Sequence, residues 1–341
     1  MNRSRAWGLV PVVAVALLLS GCVGEQKQHA TSAVPQAVPT SELKDVTLAV
    51  GDQKGGTEAL LRASGELDNA PYRVQFSTFT SGPPQVEAAT AGKIDFAVTG
   101  NTPPIFGAAS NAKIRVVSAY ANTAHGDQIL IPADSPITSV AELKSKKVIV
   151  GKGSSAHGHL LLQLQRAGLT AKDVQLVFLQ PADAVTALSQ GQADAWAIWD
   201  PYTALAAHQI KVRTLVDAAG VSNGDAFGIA SQAALNDAKR NSALSDFVQR
   251  VARASLWAQT HPDQWYEKYS AAIGIDPEVA RTAQSRTLRL PIALDPQVID
   301  SEQQLADIFA ASGQITSKPV FADFVDNRYS DVLAPYWKAP S

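Results

Sequence analysis

The stretch that decides the fold runs from residue 96 to residue 106 and has the sequence Phe-Ala-Val-Thr-Gly-Asn-Thr-Pro-Pro-Ile-Phe. Its apolar start is typical of a short buried strand. Two prolines follow, and proline suits the first positions of a helix, which makes Thr102 the predicted N-cap. The segment therefore predicts a strand, a turn and a helix in immediate succession.

The same succession recurs along the chain. Strands are predicted over residues 46–50, 73–79, 94–98, 114–119, 128–131, 147–150, 174–179, 195–199 and 212–216. Helical runs lie between several of them, at residues 58–67, 85–91, 159–167 and 183–190, and the chain becomes mainly helical after about residue 230. This alternation predicts an α/β fold with a mostly parallel sheet and helices on its faces.

Four strand-to-helix junctions carry small polar residues. They are residues 53–57 (Gln-Lys-Gly-Gly-Thr), 81–84 (Ser-Gly-Pro-Pro), 99–104 (Thr-Gly-Asn-Thr-Pro-Pro) and 151–157 (Gly-Lys-Gly-Ser-Ser-Ala-His). Open α/β sheets bind ligands at the carboxyl ends of their strands, and helix N-termini offer free N–H groups to anions. Any one junction has the simpler interpretation of an ordinary turn and cap, but four together favour a small anionic ligand. None has the spacing of a nucleotide-binding loop.

Residues 194–202 (Asp-Ala-Trp-Ala-Ile-Trp-Asp-Pro-Tyr) form the other informative segment. On a strand, Trp196 and Asp200 share one face and Trp199 lies on the other. A tryptophan beside a carboxylate suits a pocket with an apolar wall and a polar limit. The alternative, in which both tryptophans are core and Asp200 caps the helix that begins at Pro201, stays equally open.

The N-terminus predicts export. Basic residues Arg3 and Arg5 precede an apolar run over residues 9–19, about half of what a membrane-spanning helix needs, and Leu-Ser-Gly then leads into Cys22. This pattern resembles the lipobox of bacterial lipoproteins, so residues 1–21 are predicted to be a signal peptide and Cys22 the lipidated N-terminus. The alternative is a plain secretory signal with an incidental cysteine. Residues 22–42 are predicted to hold the anchor and a flexible tether.

Composition excludes several classes of function. The chain has 341 residues, enough for roughly two domains, and a formal net charge of −2, which gives no electrostatic footprint for nucleic acid. Cys22 is the only cysteine and Met1 the only methionine, which excludes a disulfide or a thiolate nucleophile beyond Cys22 and hints at sulfur scavenging. No catalytic motif is present, so we expect a non-enzyme with no cofactor and no metal, acting as a monomer.

At these residues the chain resembles the alkanesulfonate-binding proteins of bacterial ABC importers, the aliphatic sulfonate and taurine group. The resemblance covers nearly the whole mature chain and is carried by residues 53–55, 96–106, 152–157, 181–184 and 194–202. It implies a two-lobed periplasmic-binding-protein fold with a ligand cleft between the lobes and C-terminal helices. Lobe I would comprise residues 43–131 and 226–341 and lobe II residues 132–225, and two crossing segments would form a hinge.

The resemblance also implies partners and ligand-binding residues. The protein would capture an alkanesulfonate, stay attached to the membrane by its lipid anchor, and deliver the ligand to a permease driven by an ATPase. Trp196 and Asp200 would line the lobe that closes over the organic group, with Asp200 away from the anionic head. The head would be held by the junction residues Ser81, Gly82, Asn101, Thr102, Ser154, Ser155 and His157, and the other ligand-binding residues would be Gln53, Lys54 and Pro83.

Two alternatives remain at this level. The same fold resembles sulfinate desulfinases, which cleave a C–S bond with a cysteine nucleophile that this chain lacks beyond Cys22. Alternatively, a binding protein of this fold could take another small nutrient, such as taurine, nitrate or a thiamine precursor.

Overall fold

A computed structural model describes residues 33–54, 56–287 and 289–338. The strands found there are β1 (Thr47–Gln53), β2 (Arg73–Phe79), β3 (Phe96–Gly100), β4 (Ile114–Ala121), β5 (Gln128–Pro132), β6 (Lys147–Val150), β7 (Gln175–Phe178), β8 (Ala195–Ile198), β9 (Val212–Asp217), β10 (Ala226–Ser231) and β11 (Leu290–Ile292). They form a six-stranded sheet, ordered β11-β4-β10-β3-β1-β2, and a five-stranded sheet, ordered β7-β6-β8-β5-β9. Two sheets in one chain confirm the predicted two-lobed α/β fold.

Helices cover the faces of both sheets. They are α1 (Thr57–Ala63), α2 (Gly82–Thr90), α3 (Thr102–Ala109), α4 (Ser155–Arg166), α5 (Pro181–Ser189), α6 (Tyr202–Gln209), α7 (Gln232–Asn236), α8 (Ala238–Thr260), α9 (Pro262–Ile273), α10 (Pro277–Ser285), α11 (Pro296–Ala311) and α12 (Ser330–Leu333). Short 3-10 turns lie at Thr40–Glu42, Val140–Leu143, Ala171–Asp173, Phe321–Phe324 and Ala334–Tyr336. The helical C-terminal third was expected, and β11 interrupts it.

Each sheet is mixed, which corrects the prediction of a mostly parallel one. Parallel pairs join β1 to β2 and β3, and β6 to β7 and β8. Strand β10 runs antiparallel to β3 and β4, and β5 runs antiparallel to β8 and β9. Strand β11 also runs antiparallel to β4. Strands β5 and β10 each follow a segment in which the chain changes sheet, so they enter their sheets from the opposite lobe.

Two crossing segments connect the sheets, residues 122–127 between β4 and β5 and residues 218–225 between β9 and β10. They lie side by side: the Ala218 N–H donates to the Asp127 carbonyl over 3.0 Å. A Cβ on Gly224 would lie 2.6 Å from the Cβ of Ala124, and Gly224 has a φ of +68°, so both space and backbone require glycine. The predicted boundary after Ile131 would cut β5, which belongs to the five-stranded sheet; the lobe boundaries remain a prediction.

Buried apolar side chains pack on both faces of each sheet. In the six-stranded sheet, Leu48 and Phe96 pack with α8, while Ile105 of α3 and Phe309 of α11 belong to the cluster on the other side. In the five-stranded sheet, alternate residues of β8 serve separate clusters: Ala195 and Ala197 pack with α4 residues, whereas Trp196 and Ile198 pack with α5 residues. A central strand covered on both faces is expected to be apolar throughout.

The predicted signal peptide, Cys22 and most of the predicted tether lie outside the described residues. Within the described part of the chain, no helix is both long and apolar enough to cross a membrane.

Candidate functional site

A cleft of about 130 Å³ lies between the two sheets, at the carboxyl ends of β1, β3 and β8. Its volume equals that of about four water molecules. Residues from both sheets line it, which is the arrangement of a site that closing lobes could enclose. Of the predicted site residues, the cleft contains Gln53, Lys54, Gly82, Ser154, Ser155 and Asp200.

Three helices begin at this cleft. Gly82 is the first residue of α2, Pro103 the second of α3 and Ser155 the first of α4, and all three line it. The first N–H groups of a helix have no intrahelical acceptor, and the helix dipole makes this end positive. Prolines at the second and third positions of α2 and α3 carry no N–H, so among these three lining residues only Gly82 and Ser155 can donate one. The approach is close: a Cβ on Gly100 would lie 3.0 Å from the Cβ of Ser155, so the tip of β3 needs glycine to meet α4. Ser81 and Pro83 flank Gly82 but are not among the lining residues.

The polar side chains of these junctions are largely committed within the protein. Ser154 caps α4, accepting from the His157 N–H over 3.3 Å and donating to the Gly151 carbonyl over 2.7 Å. The Gln53 amide donates to Gln85 Oε1 over 2.8 Å and to the Val98 carbonyl over 3.3 Å. These contacts position the junctions, and leave the helix N–H groups as the main neutral donors.

Asn101 and Thr102 are buried beside the cleft and do not line it. Asn101 Nδ2 donates to Asn223 Oδ1 over 2.8 Å and to Ser222 Oγ over 3.2 Å, and Thr102 Oγ1 donates to Asn101 Oδ1 over 3.0 Å. These two side chains therefore hydrogen-bond within the protein and lie outside the cleft lining, and their role as head-group donors stays a prediction. They fasten the start of α3 to a crossing segment.

His157 is a core residue outside the cleft lining, and its contact with a ligand stays a prediction. Its ring is fully buried, with ring centroids at 5.1 Å from Phe309, 5.5 Å from Phe178 and 6.2 Å from Phe106. The Gly153 N–H donates to its Nδ1 over 3.2 Å, and no described residue hydrogen-bonds its Nε2. Burial lowers the pKa of His157 to about 3, with a further contribution from Lys152, so the ring is neutral at physiological pH.

Trp196 is also a core residue, and Trp199 is the tryptophan of the cleft. Trp196 is 1% exposed and packs with α5 residues, as the alternative interpretation held. Trp199 follows the last residue of β8, lines the cleft and makes an edge-on contact with Tyr202 at 5.7 Å. Strand β8 ends at Ile198, so Trp199 follows the strand and Trp196 lies within it. Open α/β sheets bind ligands beyond the carboxyl ends of their strands, which favours Trp199 over Trp196.

Asp200 lines the cleft but is held by an arginine from the other lobe. Arg286 Nε donates to its Oδ2 over 2.9 Å and Arg286 Nη2 to its Oδ1 over 2.8 Å, a bidentate pair. Its Oδ1 also accepts from Thr203 Oγ1 and, over 3.2 Å, from the Ala204 N–H of α6. Burial raises the pKa of Asp200, against the lowering effect of Arg286. The carboxylate thus joins the lobes and caps a helix.

The sequence reasoning missed Arg289, the cleft residue best suited to an anion. It lies just before β11, and its Nη2 is 3.3 Å from the Cβ that Gly56 would carry. No described residue hydrogen-bonds or ion-pairs its guanidinium. Burial lowers the pKa of Arg289, opposed by Tyr269 and Asp52, and an arginine remains charged at neutral pH. The sequence did offer one signal for this residue: Arg289 is a charged residue between two leucines, in a region predicted to be helical.

Two cleft carboxylates were also missed, Asp127 and Asp225. Asp127 Oδ1 accepts from Ser155 Oγ over 2.9 Å. Asp225 is 8% exposed, and its carboxylate accepts no hydrogen bond from the described residues. Burial raises the pKa of both to about 7, with added repulsion from Asp200 for Asp127 and from Asp295 for Asp225. Both residues lie at ends of crossing segments, where the sequence showed no ligand motif.

Two further contacts bridge the lobes at the cleft mouth. Thr80 Oγ1, after β2, donates to Gln180 Oε1, before α5, over 3.1 Å. Lys54 Nζ lies 5.9 Å from the ring centroid of Tyr202. Among the described residues, no group of histidine, cysteine, aspartate and glutamate side chains could hold a metal ion.

Comparisons with known proteins agree with this geometry. Residues 79–265 match the family model described as "NMT1/THI5 like". The chain is 33% identical over 286 residues to the putative aliphatic sulfonates-binding protein of Escherichia coli K12, covering 82% of this chain and 88% of that one. It is 30% identical to the putative aliphatic sulfonates-binding protein of Bacillus subtilis 168, covering 94% and 95%.

Solved structures show the same fold. The alkanesulfonate-binding protein SsuA from Xanthomonas axonopodis pv. citri, bound to MOPS, superposes with a TM-score of 0.77 at 28% identity, covering 83% of this chain and 99% of that one. The desulfurization enzyme DSZB superposes at 0.62 and 17% identity, which shows a shared fold alone. The relatives with substantial identity are binding proteins, so this chain is not grouped with the enzymes. It belongs to the NMT1/THI5-like family and, within it, to the aliphatic sulfonate-binding proteins.

Proposed function

We propose that this protein captures a short aliphatic sulfonate between its two lobes and delivers it to an ABC importer. The observation that carries the proposal is the Arg289 guanidinium, which no described residue hydrogen-bonds or ion-pairs, in a cleft where α2, α3 and α4 all begin. A sulfonate is a permanent anion with three acceptor oxygens and no proton of its own. It therefore needs donors and positive potential, and both are present.

Arg289 is the proposed contact of the sulfonate head. Its planar fork can donate two parallel hydrogen bonds to two oxygens of one anion. The third oxygen would take a free N–H group at a helix start, with that of Gly82 at the start of α2 as the candidate. Trp199 supplies an apolar surface for the tail, and a cleft of about 130 Å³ favours a short one.

Closure of the lobes is the proposed route to capture. The bidentate Arg286–Asp200 pair, the Thr80–Gln180 bond and the Lys54–Tyr202 contact each join one sheet's elements to the other's. They would form as the crossing segments bend and hold the ligand away from water. The closed form would then be recognised by the permease, with the ATPase driving transport.

Calorimetric titration of the purified protein with ethane-, propane- and butane-1-sulfonate tests the proposal. We expect saturable binding of one ligand per protein and no release of sulfite. Absence of binding to all three compounds would overturn the proposed function, and release of sulfite would show an enzyme instead.

We also propose that Cys22 carries the lipid that attaches this extracytoplasmic protein to the membrane. The support is the Leu-Ser-Gly-Cys sequence after a basic and apolar start. Two or more acyl chains give stable attachment where one does not. Metabolic labelling with a clickable fatty acid should mark the wild type and spare Cys22→Ser, and labelling of the variant at wild-type level would contradict the assignment.

A further inference from the structure

The cleft proposed to bind a sulfonate holds two carboxylates that form no ion pair with any cation of the described residues. Asp127 and Asp225 both line it, and the charged neighbours that act on them are Asp200 and Asp295, which are themselves acidic. A ligand with only a negative charge would be repelled by these groups. A chemical feature of the ligand should therefore account for these two carboxylates.

The two acids belong to one wall of the cleft. Asp127 is hydrogen-bonded to Ser155 over 2.9 Å, and Ser155 meets Gly100 at the tip of β3. Gly100 pairs in turn with Ala226, the residue after Asp225. Arg289 belongs to a different part of the lining, beside Gly56. The cleft thus presents an acidic wall and a separate cationic group.

Asp225 is the stronger indication of a missing cation. It is more than nine-tenths buried and lines the cleft, yet no described residue donates to its carboxylate. A buried carboxylate without a partner is costly unless it is protonated or a bound group supplies the positive charge. Asp200 cannot serve this role, because Arg286 already neutralises it.

Resting on the proposed sulfonate function, we infer that the preferred ligand is a short sulfonate whose tail carries a protonated amine, with Asp225 and Asp127 as the residues that select the ammonium. The sulfonate end would take Arg289 and the Gly82 N–H at the start of α2. The ammonium end, a donor with a positive charge, would take the two carboxylates, neither of which forms an ion pair with a described cation. A zwitterionic ligand matches both walls at once, and the acids reject a ligand of equal size that lacks the amine.

A matched ligand pair tests the inference. 3-Aminopropane-1-sulfonate and butane-1-sulfonate have the same number of heavy atoms and differ by an ammonium in place of a methyl group. By calorimetry at pH 7.5, we expect the amine to bind the wild-type protein at least about tenfold more tightly. Asp225→Asn should reduce that preference to near unity, and Asp127→Asn should reduce it in part.

Asp295→Asn is the matched control, because it removes a negative charge close to Asp225 from a residue outside the cleft lining and keeps a residue type that caps α11. It should keep the wild-type preference. Butane-1-sulfonate binding by each variant shows that it is folded. Equal wild-type affinity for the two ligands, or an undiminished preference in Asp225→Asn, would overturn the inference while leaving the proposed function intact. Failure of both ligands to bind the wild type would instead overturn the proposed function.

Discussion

Replacement of Arg289 by glutamine should remove most of the affinity for sulfonates and little of the stability. The guanidinium is the one cleft group that offers two parallel donors with a full positive charge, and no described residue engages it. Hydrogen bonds to charged groups contribute about 1.5–3 kcal/mol each. Because part of the cleft is open to water, we expect Arg289→Gln to lose about 2–4 kcal/mol of binding free energy in total. This loss corresponds to a roughly 30- to 800-fold weaker affinity.

Calorimetry with propane-1-sulfonate measures this loss of affinity, and two further variants serve as comparisons. Arg289→Lys keeps the charge without the fork and should lie between the wild type and Arg289→Gln. Arg281→Gln removes an exposed arginine that pairs with Asp263 outside the cleft, and should bind as the wild type does. The melting temperature of Arg289→Gln should equal or exceed that of the wild type, because a half-buried cation without a partner does not stabilise the fold. Affinity within twofold of the wild type would refute the placement of the head at Arg289.

Three further outcomes follow from the buried groups. Affinity for butane-1-sulfonate, measured from pH 5.5 to 8.5, should fall as pH rises through about 7, since Asp127 and Asp225 become charged there and repel the anion; an unchanged affinity would contradict this. The pKa of Asp225 is raised in the folded state, so the fold favours the protonated carboxyl group. The stability that this group allows is therefore present at low pH and is lost as the pH rises towards about 7 and the carboxyl group ionises. Asp225→Asn should therefore resist urea better than the wild type at pH 8 and show no such gain at pH 4. Trp196→Ala should lower the unfolding free energy by about 3–5 kcal/mol and leave the dependence of affinity on tail length unchanged, whereas Trp199→Ala should flatten a rise of up to about 0.8 kcal/mol per methylene.

The fold was predictable because local signals agreed along the chain. Residues 96–106 contain a strand, a turn and a helix start in an order that the structure reproduces as β3 and α3. Strand direction was less predictable, because antiparallel pairing of β10 with β3 depends on a return from the other sheet across more than a hundred residues.

The site was predictable at the level of junctions rather than side chains. Gly82 and Ser155 do line the cleft, because the carboxyl ends of neighbouring strands converge there. Local sequence does not show which way a side chain at a junction points, and so it did not show that Thr102 and His157 are buried and lie outside the cleft lining. Arg289 comes from a segment far along the chain, and only the tertiary fold brings it to Gly56.

The preference of the cleft among small anions tests the central claim most directly. The purified protein would be titrated calorimetrically with propane-1-sulfonate, butyrate and nitrate at one pH and ionic strength. The account predicts saturable binding of one propane-1-sulfonate per protein, at least about tenfold tighter than butyrate, and no detectable binding of nitrate, because Arg289 and three helix starts match a three-oxygen head on an apolar tail. Tighter binding of nitrate or butyrate than of the sulfonate would contradict it.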